Sequence, residues 1–140
     1  MNFCKTLYYI LNLTWGLPLT LAGALVAFFL ILTGRCPKRH GGCFYFNVGN
    51  DWGGMNLGLF FFTDNWDSPS IKNHEYGHSL QNAIWGPLMI FVIAIPSAIR
   101  YQVFMYRIKH HKENPPYDAI WFEGQATKWG TNTVQYWNKI

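Results

Sequence analysis

The sequence predicts a mostly α-helical membrane protein, with two or three membrane-associated helices and a small β-hairpin ahead of a motif-bearing helix. Three observations carry this reading. Only 13% of the 140 residues are charged, against roughly 25% in an ordinary soluble domain. The missing charge is blocked rather than diluted, since residues 6–34 and 76–99 contain no Asp, Glu, Lys or Arg. Between the two blocks the texture turns to short aromatic runs broken by glycine, the composition of strands and turns.

Other classes fall away on the same numbers. A chain that is 50% hydrophobic and 19% aromatic has ample apolar surface to offset the entropy of ordering, so it is not disordered. Basic and aromatic residues interleave, but an apolar run as long as 6–34 has no use in nucleic-acid binding. The net charge of +4 comes from clusters flanking the apolar blocks (Arg35, Lys38 and Arg39, then Arg107, Lys109 and Lys112). These suit anionic headgroups, which makes the lipid bilayer the expected partner and nucleic acid not one. Cys4, Cys36 and Cys43 are odd in number and form no CxxC. Free thiols are expected, with a Cys36–Cys43 bridge left open for an oxidising compartment.

Taken in order, residues 1–40 read as an N-terminal transmembrane anchor. A helix over 6–34 would reach about 42 Å, more than the roughly 30 Å hydrocarbon core. Tyr8, Tyr9 and Trp15 suit its interface, and Pro18 either kinks it or marks where the regular span begins. The apolar stretch is too long for a signal-peptide core and no A-x-A-like site follows, so the anchor is expected to stay uncleaved. Residues 41–140 form the second unit. Segments 43–48 and 55–62 flank the turn-rich 49–54 and predict the hairpin. Ser68 or Ser70 can cap a helix whose first turn holds Pro69. That helix is nominally continuous over 71–110 but contains Gly86-Pro87 and Pro96, and Asn114-Pro115-Pro116 stops it. A last amphipathic helix over 117–140 carries Glu123, Ala126, Thr127 and Gly130 at helical spacing.

The chemistry-bearing element is His74-Glu75-Tyr76-Gly77-His78, an HExxH motif. Histidines at i and i+4 project from one helix face, so both imidazoles can reach one tetrahedral Zn²⁺, and Glu75 stands beside its water as general base. With five histidines and three glutamates, a shuffled chain shows the pattern in about 0.4% of cases, so it is informative without being decisive. A catalytic zinc needs a third protein ligand. Glu123 fits best, as a carboxylate presented by a second helix. Asp118 after Asn114-Pro115-Pro116 remains the alternative, and His110 and His111 read more simply as a basic helix end. Tyr117 and Tyr76 are candidates for polarising a carbonyl.

HEYGHSLQ, then GPL, IPS and YDAIWFEGQATKWG, with the earlier WGGMNLGLFFF, resembles a group of small bacterial membrane proteins of gluzincin type. The likeness covers about residues 41–130. It implies a zincin-like fold and a zinc metallopeptidase of the bacterial cell membrane, with His74, His78 and Glu123 as zinc ligands and Glu75 as base. Gly124 and Gln125 depart from the helix-favouring pair expected there.

Geometry adds a condition. A straight helix from His78 to Lys109 would end about 46 Å from the motif, too far for the following residues to return Glu123 to it. The helix must break, best at Gly86-Pro87 and second at Pro96-Ser97. The expected function is zinc-dependent hydrolysis of a peptide or membrane-proximal protein segment. A non-enzymatic membrane adaptor and a zinc site without hydrolase activity are the rivals.

Overall fold

The computed structural model describes residues 3–139 as five helices and a four-stranded sheet. The helices are α1 (Phe3–Leu13), α2 (Leu17–Leu32), α3 (Pro69–Trp85), α4 (Ile95–Lys109) and α5 (Trp121–Trp137); the strands are β1 (Lys38–His40), β2 (Cys43–Asn47), β3 (Gly54–Leu57) and β4 (Phe60–Thr63). The mostly helical composition with a small sheet agrees with the sequence reading.

The N-terminal apolar block is not one rod. It bends by 82° between α1 and α2, and Pro18 opens the second helix, where its missing N–H costs nothing. Gly16 lies so close to α3 that a Cβ there would sit 2.4 Å from Asn82 Nδ2. The Asn82 amide donates to the Gly16 carbonyl at 3.0 Å and to Asn12 Oδ1 at 2.7 Å, so α3 satisfies a carbonyl at the break. The second apolar block bends by 117°, where 69–88 meets 90–109. Gly86 stands there at φ +53 and Pro87 follows, as expected from the sequence. Trp15, from the first bend, covers the second and donates to the Ile84 carbonyl at 3.1 Å. Among the described residues no single helix is long and apolar enough to cross a membrane, while each bent pair meets the test of length and composition together.

The sheet corrects the hairpin expectation. Strand order is β1-β2-β4-β3, and the two runs expected to pair as a hairpin, β2 and β4, lie parallel. The hairpin is instead β3-β4, folded within the run 55–62. Its tight turn centres on Gly58 at φ +71, and the Asn56 side chain bonds both the N–H and the carbonyl of Gly58. Two pieces of turn chemistry were hidden in an apolar run. Parallel pairing in register stacks Phe44 on Phe60, Tyr45 on Phe61 and Phe46 on Phe62, with centroids 6.0, 5.0 and 6.0 Å apart. Such aromatic pairs contribute about 0.5–1.5 kcal/mol each beyond area burial.

Alternation along the strands sends Tyr45 and Phe61 into a core with Tyr8 and Tyr76, and Phe46 and Phe62 into another with Ala27 of α2. The sheet is thus covered on both faces, and α1, from the segment read as an anchor, contributes Tyr8 to the central core. Cys43 is buried, Cys4 and Cys36 are exposed, and all three are free thiols.

Candidate metal centre

Helices α3 and α5 pack more closely than side chains normally allow. A Cβ on Gly77 would lie 1.9 Å from the Ala126 carbonyl oxygen, and one on Gly130 would lie 1.7 Å from the Asn73 carbonyl oxygen. Glycine at the fourth motif position and the small residues of α5 therefore let the two backbones touch. The contact carries Glu123, one turn before Ala126, to the histidines.

Three ligand atoms meet there. Glu123 Oε2 lies 3.0 Å from His74 Nε2 and 3.2 Å from His78 Nε2, and the two nitrogens are 3.2 Å apart. Edges of a tetrahedron with ~2.0–2.1 Å bonds measure about 3.3–3.4 Å, so the triangle is already near the size a zinc-like ion requires. The outer ring nitrogens fix the tautomers. Thr127 donates its hydroxyl proton to the Glu123 carbonyl at 3.2 Å, so it accepts from His74 Nδ1 at 2.9 Å. Gln81 donates its amide protons to the Phe122 carbonyl and Gln125 Oε1, leaving its oxygen to accept from His78 Nδ1 at 2.8 Å. In their neutral forms both imidazoles thus carry their proton outward and turn a bare Nε2 inward. Two bare nitrogens and a carboxylate oxygen repel one another unless a positive charge, a proton or a metal ion, lies among them. His74, His78 and Glu123 could hold a metal ion, and no other such group of His, Cys, Asp and Glu gathers among the described residues.

The electrostatics agree. Burial alone would raise the Glu123 carboxyl, but bonds from His74, His78 and Ser97 outweigh it and hold the group well below the usual carboxylate range. Burial would lower His78, but Glu123 and Glu75 raise it overall, the response of an imidazole that stabilises positive charge. Glu75 is different. Burial pushes its carboxyl up, the two histidines offset this only in part, and its Oε2 makes no hydrogen bond within the protein. Gly54 of β3 comes so close that a Cβ there would meet Glu75 Oε1 at 2.7 Å.

Glu75, His74 and His78 line one cleft of about 650 Å³, with Glu123 buried behind them. All of β3, an edge strand, lines it, together with Met89, Ile93 and Tyr101. Tyr117 lines the same cleft with its ring 6.3 Å from that of His74, and burial together with Glu123 pushes its phenol up to about 12. Tyr76 is fully buried in the core, so it cannot serve a substrate. Asp118 lines the cleft but stays outside the ligand cluster, and His110 and His111 are exposed beyond α4. Both departures from the expected pattern acquire reasons: Gly124 leaves room for the Asp118 carbonyl, and Gln125 accepts from Gln81. Sequence reasoning missed Gln81, Ser97 and Gly54 as parts of the site, and it named Thr127 only for helical spacing. Gln81 lies three residues after His78 and Thr127 four after Glu123, spacings that helix geometry makes contacts. No protein-family model matches the chain, and neither curated protein nor solved structure does, so what the site can do rests on its own geometry.

Proposed function

We propose that the chain is a zinc-dependent peptide hydrolase. The observation that carries this reading is the convergence of three potential ligand atoms, two imidazole nitrogens and a carboxylate oxygen, beside a second carboxyl, that of Glu75, whose buried Oε2 has no partner. Two nitrogens and one oxygen at this spacing are a donor set that suits zinc. Bound there, zinc supplies Lewis acidity, polarising a substrate carbonyl and bringing the pKa of a water toward neutrality. The remaining work falls to the chain. Glu75 accepts a proton from the attacking water at Oε2 and returns it to the amine nitrogen as the peptide C–N bond breaks and the new C–O bond forms. Tyr117, protonated throughout the neutral range, is a donor for the carbonyl oxygen. The free edge of β3 offers main-chain donors and acceptors to an extended peptide along the cleft.

A location against lipid is part of the proposal. Leu21, Leu25, Phe28, Phe29 and Leu32 are exposed on α2, and Ile95, Ile99 and Val103 on α4. Basic residues stand at the C-terminal end of each, which suits a membrane surface and a membrane-proximal substrate. The test pairs metal content with turnover. Purified protein should hold one zinc per chain, Glu75→Gln should keep it while losing cleavage of a peptide library, and His74→Ala should lose both. Zinc retained in Glu75→Gln with cleavage undiminished would remove the base assignment. Zinc bound with no peptide cleaved by the parent would leave a metal site without hydrolase activity.

A further inference from the structure

We infer that Ser97 is a positioning residue that restricts Glu123 to a single ligand oxygen, so that the fourth position around the metal stays open; this rests on the zinc reading above. The two oxygens of Glu123 are divided between different partners. Oε2 faces both histidines, while Oε1 accepts a hydrogen bond from the Ser97 hydroxyl. Glu123 is fully buried, so no solvent can satisfy Oε1 if Ser97 does not. Without that donor the oxygen would be left unpaired in the interior or would turn onto the metal beside Oε2, and a two-oxygen grip fills the position a catalytic site leaves to water.

Ser97 reaches Glu123 because of an irregularity in its own helix. Pro96 cannot donate a backbone hydrogen bond, and the turn before it, Ile90–Ala94, is a π-helix in which Ile95 N–H bonds the Ile90 carbonyl five residues back. One residue added to a turn rotates everything after it by about 100° relative to a regular continuation. Separate bonds then hold the α4 wall in place. Arg100 donates to the Pro116 and Tyr117 carbonyls at 3.0 and 3.1 Å, and the Tyr101 hydroxyl donates to the Trp52 carbonyl at 3.1 Å.

The test uses Ser97→Ala and Ser97→Thr in the full chain, with zinc affinity by chelator competition and the visible spectrum of the cobalt-substituted protein. Ser97→Ala is expected to weaken zinc binding by about 10–100-fold. Its cobalt bands are expected to lose the intensity of a four-coordinate ion as a second carboxylate oxygen joins. Ser97→Thr keeps the hydroxyl and is expected to restore both. Parent-like affinity and spectrum in Ser97→Ala would overturn the inference, as would a Ser97→Thr variant no better than Ser97→Ala. A parent chain that takes up neither zinc nor cobalt would instead overturn the metal reading itself.

Discussion

Replacing Gly77 by alanine tests the idea that backbone contact between α3 and α5 builds the metal centre. The new methyl would stand 1.9 Å from the Ala126 carbonyl oxygen, and ordinary C···O contact begins at roughly 3.3 Å. The helices must therefore separate by about 1.4 Å, because backbone on the facing helix cannot swing aside as a side chain can. Overpacking of this kind costs about 1–3 kcal/mol, which for a chain of this length lowers the melting temperature by roughly 3–12 °C. The chemical effect should be larger than the structural one. Glu123 rides on α5 and its Oε2 lies 3.0–3.2 Å from the two nitrogens. A displacement near 1 Å at a reacting centre costs about 100-fold in rate. Thermal melting and zinc competition on Gly77→Ala should both fall, with Gly130→Ala behaving alike through the Asn73 carbonyl. A Gly77→Ala protein with parental melting temperature and zinc affinity would refute the account.

Thr127→Val removes the acceptor for His74 Nδ1, and Gln81→Met removes the one for His78. Each should weaken zinc binding by about 10–100-fold with little change in peptide KM, measured by chelator competition and steady-state cleavage. Asp67 gives a pH test. Burial pushes its carboxyl up, but the Asn47 amide and Lys72 at 3.3 Å pull it below its usual value overall. A folded value under the unfolded one means that the contribution is full above about pH 4 and is lost as pH falls through the folded value. The pair is partly exposed, so the effect stays under about 1 kcal/mol. The melting-temperature gap between parent and Asp67→Asn should narrow as pH falls from 7 to 3, and an equal gap at both values would remove the charge from the explanation.

The site was legible where spacing alone creates proximity. His74, Glu75 and His78 follow from one helical turn, and the break at Gly86-Pro87 follows from the need to bring Glu123 back to them. The sheet was legible in composition and not in pairing. Gly58 is buried in an apolar run, and nothing in that run announces that Asn56 will bond its backbone at both ends. The parallel pairing of β2 with β4 then follows, because a strand reversed at Gly58 presents its second half to β2. Ser97 could not be found from its neighbours, since a serine after Pro96 is ordinary helix-start chemistry. Only the π turn and the packing of α5 make it a partner of Glu123.

Asn82 tests whether the N-terminal helices belong to the same folding unit as the metal centre or merely tether it. Its amide donates to Asn12 Oδ1 and the Gly16 carbonyl, and Asn12 and Asn82 are fully buried. Asn82→Ala leaves Asn12 Oδ1 without a donor and the Gly16 carbonyl with only the Thr20 N–H at 3.3 Å. An unsatisfied buried group costs about 1–3 kcal/mol, and that is the loss expected here. The consequence should be local. Amide exchange in α1 and at the 14–16 bend should accelerate, because the contact that closes the bend is gone, while zinc affinity stays within a few fold, since Asn82 touches no ligand. The core shared by Tyr8 and Tyr76 requires the whole chain to lose melting temperature with it. If residues 1–40 were an independent anchor, Asn82→Ala would melt with the parent and exchange would rise nowhere outside α3. That outcome would separate the two halves that the Asn12, Asn82 and Gly16 contacts join.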